Sequence, residues 1–212
     1  MSKAQNLIEA FNNDMDIHTK TAMDIYHIPK EQVTKNERRN AKAVNFGIIY
    51  GISSFGLSED LGINVKEAKS FIDNYLETFP GIKSYMNNLI AKAHENGYVK
   101  TMFGRKRVID EIKSANYMVK TSGERMALNT PIQGTSADIL KIAMIEIHKE
   151  LKKRNLKTKM IIQVHDELLF DCPKEEQKEV EKLIKDKMEN AYKLLVPLKV
   201  DIESGANWYE AK

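Results

Sequence analysis

The sequence predicts a helix-rich α/β fold of the α+β kind, with its strands gathered in two hairpins and one late segment. Three observations predict it. Apolar residues at helical spacing, bounded by capping residues, run through most of 3–96 and return at 116–154 and 174–195. β-Rich runs occur at 98–108, 159–171 and 198–203, and the first two are each interrupted by a short charged centre, as hairpins are. A chain of 212 residues with 42% hydrophobic and 30% charged residues is an ordinary globular sequence, long enough to bury a substantial core.

Each element has a local reason. Residues 3–12 place Leu7, Ile8 and Phe11 on one side of a short helix, and Asn13-Asp14-Met15-Asp16 breaks it. Asp16 can cap a helix running through His18, Thr21, Ala22 and Ile25. After a connection starting at Pro29, Thr34 and Glu37 have the spacing of a capping box and start a helix that ends near Gly51. A short helix reaches Leu61-Gly62, and Asn64 caps another in which Ala68, Phe71, Ile72, Tyr75 and Leu76 recur. Phe79-Pro80-Gly81 is expected to turn the chain, with a helix over 82–96 closed by Gly97. A tight hairpin with a basic tip follows over 98–108. Pro131 should interrupt the helical region 116–154, because proline is comfortable in a first turn. The second part would bury Ile132, Leu140, Met144, Ile147 and Leu151. Strands are expected at 159–164 and 168–171, around His165-Asp166-Glu167. A helix over 174–195 would pack Val180, Leu183, Ile184, Ala191, Leu194 and Leu195 inward, and 198–203 alternates as a strand does.

Composition excludes several classes. One cysteine, Cys172, rules out an intrachain disulfide and a cysteine-rich zinc site. No stretch resembles a signal peptide or a membrane span, so no membrane partner is expected and the cytoplasm is the expected compartment. The net charge of +3 is modest, but residues 99–125 concentrate Lys100, Arg105, Lys106, Arg107, Lys113, Lys120 and Arg125 against Asp110, Glu111 and Glu124. Such a concentration is the footprint of a polyanion partner, or else a solvated surface.

The helix from Thr34 to Gly51 carries the most information. Arg38, Lys42, Phe46 and Tyr50 recur every four residues and form one stripe, while Ala41, Val44 and Ile48 form an apolar side. Two fixed cations can hold a polyphosphate, and a ring further along can stack on a sugar or base. On spacing alone, the stripe equally suits a helix with solvated cations and half-buried rings. Arg125, Asn129 and Gln133 repeat the four-residue spacing, and read alone they also suit an amide network between helices. Asp166 and Glu167, held between two apolar strands, would stand exposed at a hairpin tip and offer oxygen ligands to a hard cation such as Mg2+.

Three strings together carry a resemblance. Arg38, Lys42, Phe46, Tyr50 and Gly51 match the pattern Arg-x-x-x-Lys-x-x-x-Phe/Tyr-x-x-x-Tyr-Gly. Arg125, Asn129, Gln133, Gly134 and Asp138 match Arg-x-x-x-Asn-x-x-x-Gln-Gly followed by small residues and Asp. Gln163-Val164-His165-Asp166-Glu167 completes the set. In this order they closely resemble family A DNA polymerases, of the bacterial DNA polymerase I type. Asp16-Ile17-His18-Thr19-Lys20-Thr21-Ala22 and the ending Gly205-x-Asn207-Trp208 are similar to the same family.

The resemblance implies a right-hand polymerase fold: residues 1–28 as a connection from palm to fingers, 29–115 as fingers and 116–212 as the C-terminal part of the palm. It implies template-directed DNA synthesis in replication and repair, in the nucleoid, with primer-template DNA and dNTPs as partners. Arg38, Lys42, Phe46, Tyr50 and Gly51 would bind the nucleotide, and Arg38 and Lys42 would neutralise phosphate charge during catalysis. Asp166 would be a metal ligand and Glu167 a supporting carboxylate in a site that holds two Mg2+ ions when complete. Arg125, Asn129, Gln133, His165, Arg105 and Arg107 would contact DNA, the amides and Arg125 reaching acceptors in the minor groove. Phe rather than Tyr at position 46 implies discrimination against dideoxynucleotides. The family also carries an Asp-Tyr-Ser-x-Ile-Glu-Leu-Arg strand with a further metal-binding aspartate, which these 212 residues lack, although Leu7 to Phe11 matches the segment after it. The expectation is therefore a C-terminal fragment whose partner is the N-terminal polymerase half, with palm and thumb. A non-catalytic DNA- or nucleotide-binding remnant is the alternative.

Overall fold

The structure is a computed structural model and describes residues 1–211. It divides into two compact units, Met1–Gly134 and Thr135 onward.

In the first unit, α1 (Gln5–Asn12), α2 (Ile17–Tyr26), α3 (Lys35–Ile49), α4 (Ser54–Leu61), α5 (Val65–Thr78) and α6 (Pro80–Asn96) follow one another. The caps form as the sequence predicts. Asp16 Oδ1 accepts the N–H groups of His18 at 2.9 Å and Thr19 at 3.3 Å. Thr34 with Glu37, and Asn64 with Glu67, close reciprocal capping boxes on α3 and α5. These side chains satisfy donors that every helix start otherwise leaves open, which locates the starts of α2, α3 and α5 from local chemistry alone. Ile25, Val44, Ile48, Leu57, Ala68, Tyr75 and Phe79 form the core between α2, α3, α4 and α5. A second cluster, Ala93, Val99, Ile109, Ile112 and Ala127, seats the hairpin β1 (Tyr98–Lys100) and β2 (Lys106–Val108). The hairpin is antiparallel, with Val99 opposite Arg107.

The junction at Phe79 is tighter than the predicted turn. Phe79 ends α5 and also precedes α6, whose first residue is Pro80. Its ring is fully buried and lies 4.7 Å from that of Tyr75, so packing forces the bend at one residue. Proline at the first helical position loses no hydrogen bond there, which lets α6 begin at once.

Pro131 does not end a helix. α7 runs over Tyr117–Lys153 with Pro131 inside it. The ring fixes φ near the helical value, so the chain can stay helical at the cost of one hydrogen bond and crowding of the preceding turn.

The second unit packs the end of α7 on α8 (Gln177–Glu189) and on the hairpin β3 (Lys159–Val164) and β4 (Glu167–Asp171). Ile147, Leu151, Val180, Leu183 and Ile184 are its core, as the helical spacing predicts. The β3–β4 pairing is antiparallel and carries an irregularity between Met160 and Ile162. Two expectations fail here. α8 stops at Glu189, and Leu195 is 61% exposed rather than packed inward. Residues 198–203 form no strand, since alternation makes a strand only where a partner supplies its hydrogen-bond ladder, and among the described residues none pairs with it. No helix of the described residues is long and apolar enough to cross a membrane.

Candidate functional site

The stripe on α3 is exposed. Ala41, Val44 and Ile48 are 3% accessible or less and anchor the helix. Arg38, Lys42, Phe46 and Tyr50 stand on the surface, Tyr50 just past the last helical residue. The Lys42 ammonium lies 6.0 Å from the centre of the Phe46 ring, at the outer limit of a cation–π contact. Gly51 then reverses the chain with φ +67°, a conformation that glycine takes without steric cost.

α2 supplies a second wall that sequence reasoning did not include in the site. Asp16 Oδ2 accepts a hydrogen bond from Arg38 Nε at 2.6 Å. Burial alone pushes the Asp16 carboxyl up, but the bonds from Arg38 and from the Thr19 and His18 N–H groups outweigh it and hold it below the usual carboxylate range. The His18 ring lies 5.7 Å from that of Phe46, tilted by 41°. Asn45 Nδ2 reaches His18 Nδ1 at 3.1 Å and Thr21 Oγ1 at 3.0 Å. Burial pushes the His18 pKa down; Asp16 opposes this, while Arg38 and Lys42 reinforce it. His18 is then a neutral acceptor at Nδ1, with its proton assigned to Nε2. One signal pointed to this arrangement: Asn45, a polar residue beside Val44 on the buried side of α3, needs partners.

A cleft of about 380 Å³ opens beside the aromatic end of the stripe, lined by Phe46, Tyr50, Gly51, Ser53, Asp60 and Arg125 among others. A second, largely apolar groove of about 410 Å³ reaches the other residues around Phe46, including Phe11, Ile17, His18 and Ile49. Of the spaced set on α7, Arg125 thus joins the α3 stripe, Gln133 is exposed, and Asn129 keeps a buried Oδ1 without a hydrogen-bond partner among the described residues. The hairpin cations are tied to α7: Arg105 Nη2 donates to the Gly134 carbonyl at 2.9 Å, and Arg107 Nη1 to Thr130 Oγ1 at 3.2 Å. Lys100 and Lys106 lie 5.5 and 4.7 Å from the centre of the Tyr98 ring.

In the second unit, His165 and Asp166 are the two residues between β3 and β4, and Glu167 is the first residue of β4, opposite Val164. His165, Asp166 and Glu167 are all exposed. His165 takes φ +53°, the sign that two-residue hairpin turns require at their first position, and Gln163 Nε2 braces the turn by donating to the His165 carbonyl at 3.0 Å. Ionised carboxylates offer only hard oxygen acceptors. No group of three or more His, Cys, Asp or Glu among the described residues is arranged so that it could hold a metal ion. Magnesium is commonly held by one or two carboxylates, with water and substrate phosphates completing its shell, so Asp166 and Glu167 fit as part of such a set.

Similarity to known proteins runs along the length of the chain. Residues 1–210 match the profile of DNA polymerase family A. The chain is 56% identical over 212 residues to DNA polymerase I of Bacillus subtilis, covering all of this chain and 24% of that protein. It is 53% identical over 213 residues to DNA polymerase I of Streptococcus pneumoniae, again covering 24% of it. It therefore spans about a quarter of the length of the curated relatives it matches. Among solved structures, it is similar to the POL domain of Pol1 from M. smegmatis in complex with DNA primer-template and dNTP, with a TM-score of 0.92 and 41% identity over 99% of this chain and 37% of that one.

Proposed function

This chain belongs to DNA polymerase family A, and from that premise we propose that it carries the nucleotide-binding and one metal-binding part of a site for template-directed DNA synthesis. Deoxynucleotides would be added to a primer 3′-hydroxyl, in replication and repair, within the bacterial nucleoid. The observation that carries this reading is the exposed run Arg38, Lys42 and Phe46 on one buried-backed helix, continued by Tyr50 at its C-terminal end and reaching a cleft that also holds Arg125.

Each residue has a task that its chemistry suits. Arg38 and Lys42 grip the triphosphate oxygens and offset the charge that develops on the transferred and leaving phosphates. Phe46 and Tyr50 frame the sugar and the nascent base pair, with Gly51 letting the chain turn away. Arg125, Asn129 and Gln133 follow the minor groove, where Arg and amides reach acceptors common to all base pairs. Arg105 and Arg107 add positive charge near the DNA backbone while bracing the hairpin on α7. His165 positions the primer end. Asp166 is the metal ligand and Glu167 the supporting carboxylate. Two Mg2+ ions, when bound, would supply an activated 3′-oxygen and charge neutralisation at the leaving pyrophosphate.

On this reading 1–28 connects palm to fingers, 29–115 are fingers and 116–212 belong to the palm. The further metal-binding aspartate comes from a segment outside these 212 residues, with the rest of the palm and the thumb. The test is Mg2+-dependent primer extension by this chain alone and with a separately supplied N-terminal half. Extension only in the mixture, lost in Asp166→Ala, is expected. Extension by neither, with nucleotide or DNA binding retained, would favour the non-catalytic binding module. Extension by the chain alone, abolished by Asp166→Ala, would overturn its dependence on the other half.

A further inference from the structure

We propose that Asp16 is a positioning residue for nucleotide binding: it holds the Arg38 guanidinium by its Nε edge, so that the terminal nitrogens face a triphosphate already oriented. The inference rests on the reading of α3 given above and assigns a role to a residue outside the stripe.

The geometry separates two functions within one carboxylate. Oδ1 is engaged by the backbone N–H groups of His18 and Thr19 at the start of α2. Oδ2 accepts from Arg38 Nε at 2.6 Å. The helix start therefore fixes the carboxylate, and the fixed carboxylate fixes the arginine. Arg38 has five N–H donors, of which Asp16 takes one, and among the described residues its terminal nitrogens form no other hydrogen bond. The four remaining donors are the fork that binds phosphate oxygens in pairs.

The same cap ties down a second member of the wall. His18, in the first turn of α2, has its ring against Phe46 and its Nδ1 on Asn45. Asp16 thus joins the first turn of α2 to α3 at two points of the stripe, Arg38 directly and Phe46 through His18.

A carboxylate beside a triphosphate site raises the opposite expectation, that it repels the ligand and competes for the cation. Two facts weigh against that. Its charge is compensated by Arg38 and by the positive end of α2. It also binds the edge of the guanidinium, leaving the fork open. Arg38 keeps 46% of its side-chain surface, so without Asp16 a long, rotamer-rich chain would be free and would have to be ordered by the ligand. Ordering one such side chain corresponds to a loss of on the order of 2- to 10-fold in affinity.

The test is a double-mutant cycle on the full chain, using fluorescent mant-dATP as probe and inorganic tripolyphosphate as competitor. Serine is also a good N-cap, so Asp16→Ser keeps the start of α2 while removing the acceptor for Arg38. Asp16→Asn keeps the cap with its single amide oxygen and turns its NH2 group, a donor, toward Nε, so it also removes the acceptor for Arg38. The expected result is about 2- to 10-fold weaker binding for Asp16→Ser, a loss at least as large for Asp16→Asn, and no further loss when Asp16→Ser is added to Arg38→Ala. Circular dichroism and thermal melting of the variants report folding; should Asp16→Ser not fold, the cycle is read from Asp16→Asn, which must then bind more weakly than wild type and add nothing in the Arg38→Ala background. Unchanged or tighter binding in Asp16→Ser would overturn the proposal, as would an equal loss in the presence and absence of Arg38. If Arg38→Ala itself leaves mant-dATP and tripolyphosphate binding untouched, the failure lies in the triphosphate reading of α3 and not in the role of Asp16.

Discussion

Gly51 and Gly62 form a matched pair that isolates what crowding at the cleft is worth. Both have φ +67°, and Cβ atoms added at the two positions meet very different surroundings. At Gly62 nothing lies within 4 Å, whereas at Gly51 the new atom would stand 3.2 Å from Arg125 Cγ and 3.2 Å from Leu128 Cδ1. Alanine at either site carries the left-handed backbone penalty, about 1–2 kcal/mol. At Gly51 there is an added term. The exposed Arg125 can swing aside, but Leu128 is 6% accessible and has little room, so overpacking adds about 1 kcal/mol. Gly51→Ala should therefore melt below Gly62→Ala by about 2–4 °C. On the DNA-binding role proposed for Arg125, which lines the cleft with Tyr50 and Gly51, displacing it should also weaken primer-template binding, and Gly62→Ala should leave that binding at the wild-type level. The assays are thermal unfolding followed by circular dichroism and fluorescence anisotropy with a labelled primer-template. Equal melting temperatures for the two variants, or equal DNA affinity, would refute the claim that Gly51 is required for side-chain room as well as for its backbone angle.

Two other consequences are open to measurement. Phe79→Ala removes a fully buried ring at the shared end of α5 and start of α6, beside Tyr75, and should destabilise the first unit by about 3–5 kcal/mol in urea denaturation; a loss below about 1 kcal/mol would mean that the junction does not depend on this ring. The pH response follows from His18. Its folded pKa is lowered, so between that value and the unfolded value near 6.5 the unfolded chain binds more protons, and stability must fall as pH drops through that window. Protonation also removes the Nδ1 acceptor used by Asn45. Urea midpoints compared at pH 7.5 and 5.5 should show a decrease that His18→Gln reduces, and an NMR titration of the ring should give a midpoint below that of an exposed histidine.

Much of the site was legible in the sequence because its information is local. A capping box needs only Thr34 and Glu37 three positions apart, and a stripe needs only the four-residue spacing of Arg38, Lys42, Phe46 and Tyr50 on one helix. The hairpin tip of Asp166 and Glu167 follows from two apolar runs separated by too few residues for anything but a tight turn. The burial of Ala41, Val44, Ile48, Ile147, Leu151, Val180 and Leu183 follows from period alone.

What only the tertiary structure decided depends on residues distant in sequence. Arg38 and Asp16 are 22 positions apart, and their pairing exists because α2 packs along α3. The network of His18, Asn45 and Thr21 arises from the same packing. Pro131 has a sequence preference for a helix start, but the conformation it favours is also the helical one, so its neighbours determined that α7 continues. Residues 198–203 have the alternation of a strand and, among the described residues, no ladder to join, because strand formation belongs to a pair of segments and not to one. The sequence by itself determined which helices and turns present the cations of the α3 stripe and the carboxylates of the β3–β4 turn; the fold decided which distant side chains hold those groups in place.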